Sequence, residues 1–237
     1  LLDTGRALTA QMLPRRVPQR LLRLALRKLL TRPLLFATLL RSGQWFRPLL
    51  PAAVRSRVPA RQRGKPFQPG TPRARTMLLL DGCVQPALAP QINRATQAVL
   101  YALGIDLVSA RRAGCCGAVS HHLDAYAEAK TFMRRNIDAW WPHIEQGAEA
   151  IVITASGCTA QVRDYPSLLE DEPAYAEKAR QLAGRAKDPV EILLEEELEA
   201  LDIQPRGLRV AVHTPCTQQH GLGLDGAVEL AVIEIEA

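Results

Sequence analysis

The sequence predicts an α/β protein in which strand–cysteine–helix units repeat along a mostly parallel sheet, behind a basic helical arm. Three observations carry this. After residue 75, short apolar runs recur, each leading into a turn that holds a cysteine. Between those runs lie stretches of helical periodicity, and strands alternating with helices favour a parallel sheet. Charge is divided too: residues 1–66 hold 15 Lys and Arg against one acid, Asp3, whereas the remainder holds 15 against 23 acids.

The arm comes first. From Pro14 to Pro66 leucine, arginine and proline dominate. Gln19 to Leu30 reads as a basic helix, with Leu22, Ala25, Leu26 and Leu29 on one stripe and Arg20, Arg23, Arg27 and Lys28 mostly elsewhere. Pro33 interrupts it. A second apolar stretch runs from Leu34 through Trp45 and Phe46 to Leu49, and Pro48, Pro51 and Pro59 break anything longer. Such an arm can lie on an anionic membrane surface, dock onto an acidic partner subunit, or act as a connector whose leucines cover the globular part. The connector or docking role is favoured over peripheral membrane contact. Basic charge without a binding motif supplies only non-specific attraction, so nucleic acid is not expected as a partner. Residues 61–75 read as an exposed linker.

The globular elements follow in order. Met77 to Leu80 is a short apolar strand leading to Asp81-Gly82-Cys83. A helix is expected from Pro90 to Leu103, stopped by Gly104. Ile105 to Val108 is the next strand and leads into Gly114-Cys115-Cys116-Gly117. A long helix spans about Leu123 to Ile144, and Ala150 to Thr154 is a third strand, running into Ala155-Ser156-Gly157-Cys158. Further helices are expected over Glu172 to Ala183 and after Asp188, an N-cap with Pro189 in the first helical position. Arg209 to His213 would make a fourth strand, with Cys216 just beyond it.

In open parallel sheets the active crevice lies at the carboxyl ends of the strands. Cys83, the doublet, Cys158 and Cys216 each follow a predicted strand, so the topology could gather them along one edge. The glycines around Cys115-Cys116 leave room for a bulky group close to the backbone. The gaps between cysteines are too long for a zinc ribbon or a ferredoxin loop, so a folded domain would have to assemble the ligands. Buried cysteine can also serve as a small hydrophobe. That reading accounts poorly for a glycine-flanked doublet with two more cysteines at strand ends, and a thiolate nest of Cys83, Cys115, Cys116 and Cys158 for a metal or iron–sulfur centre is favoured. No signal peptide opens the chain, and no uninterrupted apolar run is long enough to span a membrane. A cytoplasmic setting is expected, where thiols stay reduced.

Several longer motifs fall in a recognisable order. They are Leu80-Asp81-Gly82-Cys83-Val84-Gln85-Pro86, Ala113 through Val119 around the doublet, and Asn136-Ile137-Asp138-Ala139-Trp140-Trp141-Pro142. Thr154 to Cys158 and His213-Thr214-Pro215-Cys216-Thr217-Gln218-Gln219-His220 complete the set. Over about residues 77–222 the chain resembles the cysteine-rich CCG domain family, and within it the iron–sulfur subunits of glycolate oxidases. The resemblance implies an electron-transfer subunit that performs no substrate chemistry alone. It implies FAD-containing partner subunits that oxidise glycolate to glyoxylate, and onward transfer toward membrane quinone. Related complexes act in lactate utilisation, glycerol-3-phosphate oxidation and heterodisulfide reduction.

This chain departs from the family pattern at Ala155, where the family's later Cys-x-x-Cys would place a cysteine. Four thiolates suit a [4Fe–4S] cluster, or zinc in a structural or docking module, better than a larger cluster. Cys216 resembles the leading cysteine of a second repeat whose Cys-Cys-Gly is missing, a second and incomplete site. The expected division is therefore a connector at 1–74, a first CCG domain at 75–204 and the start of a truncated repeat at 205–237. The chain opens on Leu1 and is read as a middle piece that lacks the family's ferredoxin-like domain.

Other features carry less. Gly221-Leu222-Gly223-Leu224-Asp225-Gly226 spells a dinucleotide fingerprint, but a lone match is weak and is rejected. His121-His122 could tune a centre but more simply start a helix. His213 and His220 belong to the incomplete motif, Trp140 and Trp141 are packing anchors, and Glu195-Glu196-Glu197 is a solvated helix face. Thiol–disulfide chemistry at the doublet is disfavoured by the strain of bridging adjacent cysteines.

Overall fold

The computed structural model of the chain describes residues 5, 8–9, 12–13, 15–62, 67–201, 209 and 211–236. It divides into two compact units, one formed by residues 1–64, 82–91 and 114–134, the other by 65–81, 92–113 and 135–237.

The second unit carries the sheet. Its strands β1 (Arg75–Leu79), β2 (Ile105–Ser109), β3 (Ile151–Val152) and β4 (Ala186–Lys187) are all parallel, in the order β2-β1-β3-β4. The fold is α/β. Leu78 sits beside Ile151 and Val108, and Ile151 beside Ala186. Met77, Leu78, Leu79 and Leu80 are all buried. A strand covered on both faces has no reason to alternate, so it reads as an unbroken apolar run. One face packs Met77, Ile105 and Val152 against Leu100 and Ile192. Arg75 closes the lower end of the sheet, its guanidinium fork donating to Glu149 (2.8–3.1 Å) and Glu196 (2.7–2.8 Å). Strand order reverses between β1 and β3, because β1 connects outward to β2 while β3 lies on its other side.

The second unit's helices fall close to expectation. The helix Pro90–Ala102, which begins in the first unit, ends where Gly104 takes a left-handed φ of 82°, open to glycine without strain. Pro173–Ala183 forms as read, and Asp188 caps Pro189–Leu193 in a full capping box with Glu191. Tyr126–Glu145 begins in the first unit and continues here, where Trp140 is fully buried as a packing anchor. Trp141 instead donates to Glu145 (2.7 Å) beneath the Lys178 ammonium.

Three expectations fail. Arg209 and residues 211–213 form no strand, and Val210 lies outside the described residues. The fourth strand is Ala186–Lys187, only two residues long, which the neighbouring helices obscured in the sequence. Glu195–Glu197 is a turn after a short helix, not a solvated helix face: Glu196 pairs with Arg75 and Glu195 with Lys187. His121 and His122 end a five-residue helix, Ala118–His122, and do not start one.

The first unit is built from the arm and two cysteine-bearing segments. Helix α1 (Val17–Leu30) and helix α2 (Pro33–Phe46) each begin with proline in the first turn, where the missing N–H is not needed. A 3₁₀ turn (Arg47–Leu49) and a short helix α3 (Ala52–Arg55) follow. Helix α4 (Gln85–Leu88) packs on α2, and Ala118–His122, hereafter α6, packs on α1; the intervening Pro90–Ala102 is α5. Tyr126–Glu145 is α7.

Candidate metal centre

In the first unit the doublet occupies the turn before α6. Cys115 and Cys116 are both buried, and the Gly117 N–H points at the Cys115 sulfur across 3.5 Å. Gly117 has φ +92°, and a Cβ there would stand 3.1 Å from the Ala129 carbonyl oxygen and 3.6 Å from the Met133 methyl. Close approach of α7 therefore demands glycine at this position. The Gly117 carbonyl accepts from the His121 N–H (2.9 Å), which winds α6 directly out of the cysteine turn. The His121 ring is buried and lies edge-on to Tyr126, 5.4 Å between centroids. Ser120, also buried, donates to Glu128 (3.1 Å). Cys83 is half-buried, two residues ahead of α4.

In the second unit Cys158 lies in the first turn of α8 (Ser156–Arg163) and is half-buried. Ala155 is the N-cap of that helix, and its carbonyl accepts from the Cys158 and Thr159 N–H groups (2.8 and 3.0 Å). Thr159 donates its hydroxyl to the Ile153 carbonyl (3.2 Å), anchoring the helix to the end of β3. Cys216 is exposed and heads a π-helical turn, Thr217–Gly221. That turn is tied down twice: Gln218 donates to Asp188 (3.1 Å), and the Ser156 and Thr217 hydroxyls are 3.3 Å apart. Burial pushes the Asp188 carboxyl up, against the Val190 N–H and Gln218 amide that favour its charge. The Gly221–Gly226 stretch follows this turn and not a strand, unlike a dinucleotide loop.

One contributor was missed in the sequence. Asn93, buried in α5, donates to the Asp81 carbonyl (3.4 Å) and accepts from the Thr154 hydroxyl (2.7 Å). It ties together the segments leaving β1 and β3, where strand order reverses. Its signal was available: Asn93 lies seven residues before buried Leu100, a polar residue on an apolar stripe. A cavity of about 260 Å³ beside β2 is lined by Phe67, Pro69, Tyr101 and Asp106 among others, without a cysteine or histidine.

Cys83, Cys115 and Cys116 thus belong to the first unit, and Cys158 and Cys216 to the second. None is in a disulfide. Among the described residues no three His, Cys, Asp or Glu side chains are grouped closely enough to hold a metal ion. The donor chemistry nevertheless fits a soft, thiolate-held centre. The doublet is shielded from water, and a backbone N–H on the Cys115 sulfur is the kind of contact that tunes iron–sulfur centres.

Residues 77–163 match the CCG cysteine-rich domain family, a span that contains Cys83, Cys115, Cys116 and Cys158. Over 99% of its length the chain is 47% identical to the glycolate oxidase iron-sulfur subunit of Escherichia coli (strain K12), and it spans 58% of that protein. It is 27% identical, over 56% of its length, to the probable glycolate oxidase iron-sulfur subunit of Bacillus subtilis (strain 168), covering 29% of it. Lactate utilization protein A of Bacillus velezensis is 28% identical over 60% of the chain and 58% of its own length. No solved structure matches the chain. The chain is thus similar along nearly all of its length to a glycolate oxidase iron–sulfur subunit, and its residues 77–163 match the CCG cysteine-rich domain family.

Proposed function

We propose that this chain is the electron-relaying part of an iron–sulfur subunit in a glycolate-oxidising complex. The observation that carries this reading is 47% identity across 99% of the chain to a protein of that name. Cys83, Cys115, Cys116 and Cys158 are the proposed ligands, all inside the matched span, and [4Fe–4S] is the proposed cluster because Ala155 removes a fifth thiolate. When bound, such a cluster accepts and releases single electrons. The chain's own residues supply the rest. Burial of Cys115 and Cys116 keeps water from the sulfurs, the Gly117 N–H stabilises negative charge on Cys115, and Gly117 lets α7 close over the turn. Electrons arrive from an FAD-bearing subunit, since no flavin signature is present in this sequence, and leave toward quinone. The parts are a connector at 1–74, a CCG domain at 75–204 and the start of a second repeat, with Cys216, at 205–237. Thiols outside any disulfide suit a reducing, cytoplasmic setting. No described helix is long and apolar enough to cross a membrane.

A second reading keeps the relay and changes the fuel: the similarity to lactate utilization protein A favours lactate as the 2-hydroxy acid. The deciding experiment is metal and sulfide content with visible absorption of anaerobically purified protein. Broad absorption with iron and sulfide, lost in Cys116→Ser, is the expected result. Zinc without colour would replace the relay with a structural centre. Reduction of the cluster by glycolate or by lactate, with the flavoprotein subunit added, separates the two fuels.

A further inference from the structure

A surface helix with one apolar stripe ordinarily turns that stripe inward and its charges toward water. Helix α1 does the reverse. Arg15 and Arg23 pair with Asp124, and Arg27 and Lys28 with Glu128, so its basic face is the attached one. The Arg23 side chain is only 26% exposed, whereas Leu22 is 61% exposed, and Leu21 and Leu26 are exposed with it. Helix α2 extends the same character: Leu34 and Leu39 are exposed and Trp45 is 78% exposed. Neither helix has a single buried residue. Arg16, Arg20, Arg32 and Arg41 are exposed along these helices and make no ion pair among the described residues.

We propose that the outward face of α1 and α2 is a docking surface for another protein subunit, one that offers an apolar groove rimmed by carboxylates. The proposal rests on the reading of this chain as one subunit of a complex. Charge selects an acidic occupant, because residues 4–62 contain no acid at all. Composition selects protein over lipid. The cations of residues 1–62 are 12 arginines and one lysine, Lys28. Protein interfaces favour Arg, Trp and Phe and disfavour Lys, since a planar guanidinium pairs with a carboxylate through two hydrogen bonds. Anionic headgroups attract both cations alike. A second copy of this arm is a poor occupant, because arginine would face arginine.

The test co-expresses the full chain with the flavoprotein subunit of its complex and measures association, thermal unfolding and iron content on the same samples. Arg32→Glu with Arg41→Glu should weaken association at least ~10-fold while the unfolding temperature and iron content hold. Leu22→Glu with Trp45→Glu should do the same. Undiminished association in both double variants overturns the proposal, as does a wild-type chain that never associates. A falling unfolding temperature in the arginine variant overturns it too, since the face would then be an internal contact. Sedimentation with phosphatidylglycerol vesicles, abolished by the same changes while the complex survives, would assign the face to lipid instead. A complex that forms without iron and is lost in the variants would keep the docking surface and remove the electron-relay reading.

Discussion

Strand β1 and helix α1 are both rich in leucine, and the structure uses their leucines in opposite ways. In β1 the run Met77 to Leu80 is buried on both faces of the sheet. In α1 Leu21, Leu22, Leu24 and Leu26 face out, and the helix is held by its arginines and lysine. Apolar content alone therefore does not locate a core. The difference lies in what the neighbours offer: β1 lies between two strands, whereas α1 meets two carboxylates, Asp124 and Glu128.

The contrast is sharpest in the centre of the sheet. Leu78→Ala should destabilise the protein by about 2–5 kcal/mol in denaturant unfolding, because the cavity cannot close around a strand paired on both sides. Gly117→Ala comes next, at about 1–3 kcal/mol, since it forces a left-handed alanine against the Ala129 carbonyl. The same change should lower cluster occupancy read by visible absorption. Asp188→Ala removes a cap and the Gln218 anchor, for about 0.5–2 kcal/mol.

Asp188 also has a pH signature. Because burial raises its folded pKa, the folded state holds the proton more tightly, and this carboxyl's contribution to stability falls as pH rises through the window above the usual aspartate value. Asp188→Asn should flatten that slope in a pH series of unfolding curves. Glu128 gives the opposite sign. Burial opposes its ionisation, but the hydrogen bonds from Lys28 and Ser120 and the charges of Lys28 and Arg27 outweigh it and hold its pKa below the ordinary glutamate range. Its support for the α1 attachment is present above the ordinary glutamate value and is lost as pH falls through the lowered one. Glu128→Gln should cost only about 0.2–1 kcal/mol but should expose α1 to hydrogen exchange. The smallest effect belongs to α1 itself: Leu22→Ser should change stability by no more than about 0.5 kcal/mol. A loss comparable to Leu78→Ala would erase the comparison.

Much of the fold could be read from the sequence because its signals are local. Pro90 and Gly104 bound a helix, Asp188-Pro189 starts one, and unbroken apolar runs mark strands covered on both sides. The edge strand Ala186–Lys187 was not legible, since two residues carry no periodicity and its place is fixed by pairing with β3. The stretch 209–213 has strand-like composition, but Arg209 and residues 211–213 are not assembled into the sheet. At the candidate site, the glycines flanking the doublet were legible, and the left-handed Gly117 gives one of them a steric reason. Asn93 could be singled out as a polar residue on an apolar stripe, but its pairing with Thr154 and that of Glu196 with Arg75 were not legible, because each joins residues more than 50 positions apart.

The inverted attachment of α1 gives the arm an unusual response to ionic strength. Added salt shortens the Debye length and loosens the arginine–carboxylate contacts that hold the helix down. An excluded salt such as sulfate also strengthens association between the leucines that face outward. The same ion thus unfastens the helix on one side and makes it adhesive on the other. Purified alone, this chain should remain dispersed in dilute buffer and self-associate in ammonium sulfate while its sheet stays folded.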